Sequence, residues 1–203
     1  MPARVGILGG TFDPPHIGHL LAAYTAREAL GLDQVMLIPA WRQPLKRGVD
    51  MTSGSHRLAM TRLLAGHDAG LAVDPVEIER EGLSFTVDTM RAYRAARPDA
   101  ELFLLMGADT AATLPQWREP EALASLVTVV VVTRGGVAPD DEATVGLPAG
   151  FRAQRLASRR VDISATEVRS RVRAGLPIRG FVPDDVIAYI STHQLYRPTN
   201  DTE

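Results

Sequence analysis

The sequence contains no cysteine among its 203 residues, which excludes disulfide bonds and thiolate metal sites. It also lacks any apolar run of about 18 residues, the length that a membrane-spanning helix requires. The first apolar run, residues 5–8, is too short for a signal peptide. The two signs of charge nearly balance, because 22 basic and 24 acidic side chains give a formal net charge of −2. We therefore expect a cytoplasmic protein that binds neither nucleic acid nor membranes.

Apolar residues make up 45% of the chain and charged residues 23%, as in ordinary globular proteins. Short apolar runs, typical of buried parallel strands, lie at residues 4–8, 35–38, 101–106 and 127–133, with weaker candidates at 71–73 and 151–156. Segments with helical spacing lie at residues 17–30, 55–64, 86–96, 119–126, 164–173 and 183–193. This alternation predicts an α/β fold, a doubly wound parallel sheet with helices on both faces.

The length of the chain suits one α/β domain rather than two independent ones. We expect a single domain over residues 1–203, in which residues 164–203 form a small helical C-terminal subregion. The two predicted helices of this subregion are expected to cover the far edge of the sheet.

Gly9 and Gly10 come directly after the first predicted strand, and a helix is predicted to begin at Ile17. In a doubly wound sheet, ligands bind at the carboxyl ends of the strands. Two glycines let the backbone approach a phosphate closely, and the helix start offers free N–H groups and the positive end of a dipole. His16 and His19 lie three residues apart on roughly one face of this helix start, within reach of phosphate oxygens. Taken singly, an ordinary turn, two structural histidines or an incomplete metal site explain the same residues.

The run of eleven residues that begins at Gly9 and ends at His19 reads Gly-Gly-Thr-Phe-Asp-Pro-Pro-His-Ile-Gly-His. It closely resembles the signature of the nucleotidylyltransferases, part of the wider group of ATP-binding Rossmann-like folds with a His-x-Gly-His motif. Later segments are similar to those of the nicotinate mononucleotide adenylyltransferases, and the similarity extends over nearly the whole chain. The resemblance implies that ATP is bound in this run by Gly9, Gly10, Thr11, Phe12, His16 and His19.

A proline-rich loop follows the second predicted strand and includes Pro44, Leu45 and Lys46. It is similar to a loop of this family whose basic residue faces the phosphates, and the resemblance implies substrate contacts for Pro44 and Lys46. Leu45 stands where the family usually has a histidine. Lys46 is the only lysine among 22 basic residues, and a flexible ammonium suits moving phosphates, although an exposed loop lysine is the simpler interpretation.

Residues 84–89 resemble the family's Ser-Tyr-Thr-x-x-Thr segment, in which the start of a helix meets the nicotinate ring and its carboxylate. Phe85 replaces the usual tyrosine, and Thr86 is expected to cap the helix, an ordinary role for threonine. The resemblance implies that both residues contact the substrate. Free N–H groups at the helix start favour a carboxylate over an amide at this place.

Gly107 and Asp109 follow the predicted strand at residues 101–106 and, with Trp117, resemble the family's Gly-x-Asp segment and its tryptophan. The resemblance implies that Trp117 stacks on the pyridine ring and that Asp109 binds a ribose hydroxyl or a magnesium-bound water. A core tryptophan and a helix-capping aspartate are the structural alternatives. Arg134 follows the strand at residues 127–133, a position that suits a phosphate contact.

A segment before the C-terminal helices closely resembles the family's Ile-Ser-Ser-Thr-x-x-Arg element, which helps to hold the phosphates of ATP, and it includes Ile163, Ser164, Thr166 and Arg169. Ala165 replaces the second serine of that element. Ser164 and Glu167 also form an ordinary capping box. Both interpretations hold together, because a capping serine leaves other first-turn N–H groups unbonded.

The resemblance implies that the adenylyl group of ATP is transferred to nicotinate mononucleotide, giving deamido-NAD and pyrophosphate in NAD biosynthesis. The expected mechanism is direct in-line displacement, with charge stabilised by Mg²⁺ held mainly through the ATP phosphates and by His16, His19, Lys46 and Arg169. An adenylyltransferase for nicotinamide mononucleotide or phosphopantetheine is the enzyme alternative, and a nucleotide-sensing module is the non-enzyme alternative. The sequence does not determine the oligomeric state, and a homo-oligomer is compatible with it.

Overall fold

The computed structural model of the chain describes residues 1–45, 50–134, 147, 150–159 and 161–198, and Arg134 in its backbone only. Six described strands form one parallel sheet: β1 Arg4–Gly10, β2 Gln34–Pro39, β3 Leu71–Val73, β4 Glu101–Gly107, β5 Thr128–Arg134 and β6 Arg152–Ser158. Their order across the sheet is β3-β2-β1-β4-β5-β6. The order reverses at β1, so the crossovers diverge and leave a crevice at the carboxyl ends of β1 and β4.

Helices form most of the connections between the strands. The described α-helices are α1 Ile17–Leu30, α2 Gly54–Ala65, α3 Val76–Arg80, α4 Thr86–Ala96, α5 Ala108–Ala111, α6 Pro120–Leu126, α7 Ala165–Arg173 and α8 Asp184–Thr192. A short 3₁₀ helix spans Leu114–Gln116. None of the helices described combines the length and the apolarity that crossing a membrane requires.

The predicted doubly wound α/β fold is confirmed. Each of the six predicted strands and six predicted helices is present, and their ends differ from the predicted ones by no more than two residues. The short helices α3 and α5 and the 3₁₀ helix were not predicted, because elements of three to five residues are too short to show a helical period.

The expectation that the C-terminal helices cover the far edge of the sheet is wrong. Apolar side chains of α7 and α8, among them Val168, Val186 and Ile190, pack with Met60 of α2 in a core cluster of their own. Helix α2 has a second buried side, on which Leu64 belongs to the core beside the sheet. The C-terminal helices therefore form a layer over α2.

The sheet carries one apolar core on each face, because successive side chains of a strand point to opposite faces. Leu104 of β4 packs with Ile7 in one cluster, and the adjacent Leu105 packs with Leu37 in the other. Gly6, in the middle of β1, lies under Leu32 and Val35, which leave little room for a side chain. Close packing of α1 and its following turn onto β1 therefore depends on a glycine at this position.

Replacing Gly6 with alanine is expected to lower the free energy of unfolding by about 1–3 kcal/mol through overpacking. The added Cβ would lie 2.7 Å from Leu32 Cδ1 and 3.1 Å from Val35 Cγ2. Urea denaturation of the purified variant measures the loss.

The matched control is Gly9→Ala, in the same strand. Its added Cβ would meet no described heavy atom within 4 Å, so the change in unfolding free energy is expected to stay within about 0.5 kcal/mol. Equal losses in the two variants would contradict the packing explanation.

Candidate active site

A cavity of about 930 Å³ opens at the carboxyl ends of β1 and β4, where the strand order reverses. It is lined by predicted site residues from five separate parts of the chain: Gly9, Gly10, Thr11, Phe12, His16, His19, Pro44, Phe85, Thr86, Gly107, Asp109, Trp117, Ile163, Ser164, Thr166 and Arg169. Lys46 lies outside the described residues, and Arg134 ends β5 with its side chain outside them. The fold thus brings the other predicted residues to one place.

Residues 9–19, called the signature loop here, join β1 to α1 along the floor of this cavity. The loop turns at Phe12, whose backbone is left-handed, with φ of 51°, and whose ring is buried. The ring of Phe12 packs at 4.8 Å from the ring of His19. A buried aromatic side chain therefore sets the path of a loop whose backbone faces the cavity.

His16 is the N-cap residue of α1, and His19 lies in the first turn of the helix. The backbone N–H of His16 donates a hydrogen bond to Nδ1 of His19, at 3.1 Å. Because Nδ1 accepts, neutral His19 carries its proton on Nε2, which makes Nε2 a donor. The two rings are 3.8 Å apart and both line the cavity. The start of α1 thus presents imidazole groups together with the positive end of the helix dipole.

Arg57 of α2 is a buried cation that sequence reasoning missed, since nothing in the sequence separates it from the other arginines. Its side chain is 1% exposed. Its guanidinium donates to four backbone carbonyls, two of which are the Thr11 carbonyl at 2.8 Å and the Trp41 carbonyl at 3.0 Å. The others belong to Ala40 and Thr52. Burial lowers the pKa of Arg57, and the nearby Asp13 opposes this shift. Arg57 therefore ties the signature loop to the loop after β2.

Arg169 of α7 also reaches the signature loop. Its guanidinium donates to the carbonyl of Asp13 at 2.7 Å and to Thr166 Oγ1 at 3.2 Å. The serine half of the predicted capping box is confirmed, because Ser164 Oγ accepts from the N–H of Glu167 at 3.1 Å. The first residues of α7 and the Arg169 cation therefore line the cavity beside the signature loop.

The start of α4 differs from the expectation in one respect. Phe85, with extended backbone angles, is the N-cap residue, and Thr86 is the first residue of the helix. The prediction that Thr86 caps α4 is therefore wrong. The N-cap side chain makes no capping hydrogen bond, and the N–H of Asp88 donates to the Phe85 carbonyl at 3.1 Å. The N–H groups of Thr86 and Val87 therefore have no hydrogen-bond acceptor among the described residues and lie at the cavity wall. An uncapped helix start is a suitable place for an anionic group.

Buried Glu77 of α3 holds the start of α4 in place, and sequence reasoning missed it as well. Its carboxylate accepts from Thr89 Oγ1 at 2.6 Å and from the Ser84 hydroxyl. Ser84 Oγ in turn accepts from the N–H of Trp41 at 2.9 Å. Burial raises the pKa of Glu77, and the two hydroxyl groups oppose the shift by donating to its charged form. The start of α4 is thereby linked to the loop after β2.

Trp117 and Arg118 form a wall of the cavity beside the start of α4. The indole Nε1 of Trp117 donates to Thr113 Oγ1 at 2.9 Å, which fixes the plane of the ring. The guanidinium of Arg118, a residue that sequence reasoning missed, lies 4.8 Å from the centre of the Phe85 ring and lines the cavity. This end of the cavity therefore offers an aromatic surface and a cation.

The sequence model of the family described as cytidylyltransferase-like matches residues 7–171 of the chain. A protein of Gemmatimonas aurantiaca named "Probable nicotinate-nucleotide adenylyltransferase" is 52% identical over 196 residues, which cover 96% of this chain and 92% of that protein. A protein of Herpetosiphon aurantiacus with the same name is 43% identical over 195 residues, which cover 95% of this chain and 98% of that protein.

Solved structures agree with the fold. Nicotinic acid mononucleotide adenylyltransferase of Plasmodium falciparum, complexed with NaAD, matches with a TM-score of 0.79 and 17% identity, over 96% of this chain and 97% of that chain. The same enzyme complexed with APC matches with a TM-score of 0.77. At this level of identity the likeness concerns the α/β Rossmann-like fold.

Arg57→Lys is expected to lower the free energy of unfolding by about 1–3 kcal/mol, because an ammonium cannot reach all four carbonyls and leaves a buried acceptor unpaired. Chemical denaturation measures the change. Arg62→Lys, the same substitution at an exposed position of α2, serves as the control and should change stability by no more than about 0.5 kcal/mol. A stability loss in Arg62→Lys as large as that in Arg57→Lys would refute a special role for the buried guanidinium.

Proposed function

The chain belongs to the cytidylyltransferase-like family and, within it, to the nicotinate-nucleotide adenylyltransferases, and we propose that it transfers the adenylyl group of ATP to nicotinate mononucleotide. The products are deamido-NAD and pyrophosphate, and the reaction is a step of NAD biosynthesis. The observation that carries the proposal is the single continuous cavity that joins the signature loop to the uncapped start of α4 and to Trp117. A cavity with an anion-binding group at each end suits two phosphorylated substrates.

The ATP end of the cavity is assigned to the signature loop, the end of β4 and the start of α7. Helix starts and imidazole groups supply donors for phosphate oxygens there, and Thr11 Oγ1 has no hydrogen-bond partner among the described residues. The residues assigned to ATP are Gly9, Gly10, Thr11, Phe12, His16, His19, Gly107, Asp109, Ile163, Ser164, Thr166 and Arg169.

The acceptor end is assigned to the loop after β2, the start of α4 and the segment around Trp117. The aromatic face of Trp117 suits an electron-poor pyridine ring, and the first-turn N–H groups of α4 suit its carboxylate. The residues assigned to nicotinate mononucleotide are Pro44, Lys46, Phe85, Thr86, Asp109, Trp117 and Arg134.

The reaction proceeds by in-line displacement at the α-phosphorus of ATP. A bond forms between a phosphate oxygen of nicotinate mononucleotide and the α-phosphorus, and the bond from this phosphorus to pyrophosphate breaks. The second pKa of a phosphate monoester is near 6, so the nucleophile is already ionised at neutral pH and needs no strong base. The protein contributes alignment of two anions and stabilisation of charge on the α-phosphate and the leaving group, from His16, His19, Lys46 and Arg169.

Mg²⁺ bound to the triphosphate neutralises part of its charge. The described part of the chain contains no group of three or more side chains able to hold a metal ion. Asp109 lines the cavity, whereas the Asp13 carboxylate already accepts hydrogen bonds from Thr52 and Tyr196. This donor set would suit an ion held mainly by phosphate oxygens, and Asp109 is the carboxylate that could assist in holding it.

A panel of acceptors tests the function. The purified protein is supplied with ATP, Mg²⁺ and, in turn, nicotinate mononucleotide, nicotinamide mononucleotide or phosphopantetheine, and pyrophosphate release is measured. The fastest release is expected with nicotinate mononucleotide, because the start of α4 favours an acid. Faster release with another acceptor, or none with any of them, would overturn the proposal.

The same assay, run with His19→Ala, links turnover to the signature loop. Loss of one preorganised charge-stabilising donor is expected to lower kcat by roughly 10²-fold. His67→Ala removes an exposed histidine outside the cavity and is expected to leave kcat unchanged.

We assign Arg118 to the recognition of the nicotinate carboxylate. Its guanidinium stacks on the ring of Phe85, the N-cap residue of α4. It also forms salt bridges with Asp88 Oδ2 and Glu119 Oε1, each at 3.3 Å. The cation therefore stands beside the helix start to which the nicotinate carboxylate is assigned. A neighbouring cation strengthens the binding of a carboxylate at this position more than the binding of an amide.

Arg118→Met removes this charge and is expected to raise KM for nicotinate mononucleotide about five- to tenfold, with little change for nicotinamide mononucleotide. Steady-state kinetics with both acceptors measure the difference. Arg91→Met is the control, because Arg91 bonds to the same Glu119 at 2.6 Å but does not line the cavity. An equal rise in KM for the acid and the amide would argue against this role.

A further inference from the structure

The chain after α8 turns inward through two residues with left-handed backbones. Gln194 has φ of 50° and Tyr196 has φ of 63°, a backbone conformation that residues other than glycine rarely adopt. This turn carries the Tyr196 hydroxyl to Oδ1 of Asp13, at 2.6 Å, across 183 residues of sequence. The C-terminal segment therefore accepts an unfavourable backbone conformation and delivers a donor to the middle of the signature loop.

Asp13 connects three segments of the chain. Its side chain is 4% exposed, and its Oδ2 accepts from the N–H of Thr52 at 3.2 Å. Its carbonyl accepts from Arg169 Nη1 at 2.7 Å. Tyr196, Thr52 and Arg169 lie in the C-terminal segment, the loop after β2 and α7, respectively. A displacement of Asp13 would therefore move the signature loop and the Arg169 contact together.

The Tyr196 hydroxyl is suited to a lasting contact. Burial, followed by the Asp13 carboxylate, raises the pKa of Tyr196 well above its usual range, so the phenol keeps its proton at neutral pH. A protonated phenol beside a carboxylate forms a charge-assisted hydrogen bond, which is stronger than one between neutral groups.

We propose that Tyr196 is a positioning residue for adenylyl transfer, which through Asp13 holds the signature loop and Arg169 in the arrangement that binds the ATP phosphates. The inference rests on the proposed function. Tyr196 is not among the residues that line the cavity, so it acts through Asp13. Small displacements of phosphate-binding groups have large effects, because alignment supplies much of the catalysis.

A purely structural role is the alternative, in which Tyr196 only fastens the C-terminal segment to α2. Tyr196 packs against the core cluster of α2, α7 and α8, and its hydroxyl lies 4.0 Å from Met60 Sδ. Such a role would change thermal stability but would leave catalysis intact at temperatures where the protein is folded.

A pair of tyrosine-to-phenylalanine variants separates the two roles. Tyr196→Phe removes the hydroxyl that bonds to Asp13. Tyr189→Phe removes a hydroxyl of α8 that bonds to His56 Nδ1 of α2 at 2.9 Å and has no part in the signature loop. Each variant loses one hydroxyl oxygen of the C-terminal segment. Tyr196→Phe also loses the contacts of that hydroxyl with Met60 Sδ and with the Thr52 side chain. For each, the midpoint of thermal unfolding is measured first, and kcat and KM are then measured at least 15 degrees below both midpoints.

We expect both variants to unfold at a somewhat lower temperature than the unmodified protein. Tyr196→Phe should also lower kcat/KM for ATP about tenfold and leave KM for nicotinate mononucleotide nearly unchanged, since the acceptor end is held by other contacts. Tyr189→Phe should keep the kinetic constants of the unmodified protein. Unchanged kinetics in Tyr196→Phe, or equal kinetic losses in the two variants, would overturn the inference.

Binding of a nonhydrolysable ATP analogue, measured by calorimetry, keeps this test independent of the proposed function. Weaker binding in Tyr196→Phe alone would support the positioning role even if no acceptor in the panel were adenylylated, in which case only the proposed function would fail. Equal affinities in Tyr196→Phe, Tyr189→Phe and the unmodified protein would refute the positioning role. In an Asp13→Asn background, removal of the Tyr196 hydroxyl should weaken binding of the ATP analogue by a smaller factor than it does in the unmodified protein, because the two changes interrupt one contact.

Discussion

The buried guanidinium of Arg57 is the contact on which the rest of the cavity depends. It donates to four carbonyls from two loops that are distant in sequence, with Thr11 in one and Trp41 in the other. Loop carbonyls in a water-poor site must find donors, and a single planar cation with five N–H groups supplies them at a fixed geometry. The signature loop and the loop after β2 are thereby fixed relative to each other. Arg57 thus helps to shape the cavity, although it is not one of the residues that line it.

Trp41 joins the two ends of the cavity through its backbone. Its carbonyl accepts from Arg57, on the side of the signature loop, and its N–H donates to Ser84, on the side of α4. Ser84 in turn donates to the buried carboxylate of Glu77. The nucleotide end and the acceptor end are therefore connected by one series of hydrogen bonds. In-line transfer needs this kind of connection, since two anions must be held at one distance and one angle.

Helix starts and basic side chains lie together around the cavity. The starts of α1, α4 and α7 all contribute residues to the cavity, and each is the positive end of a helix dipole. At α1 the N–H of Ile17 donates to the Phe181 carbonyl and that of His19 to the His16 carbonyl, which leaves the N–H of Gly18 for the cavity. Such groups are fixed in direction and do not titrate, so they hold phosphates and carboxylates over a wide range of pH. The side chains of His19 and Arg169, held by their own hydrogen bonds, add an imidazole and a guanidinium to these backbone groups at the cavity.

The sequence by itself determined the features that are local. Apolar periods located the strands and long helices, and the eleven residues of the signature loop predicted a phosphate site within one short segment. Tertiary structure alone decided which of many similar arginines is buried, as Arg57 is, and which distant donor reaches Asp13. It also decided that Phe85 rather than Thr86 is the N-cap residue of α4, because the extended backbone angles of Phe85 place the helix start one residue later than a threonine cap requires. Contacts between residues far apart in the chain leave no period or spacing in the sequence, and for that reason only the folded chain contains them.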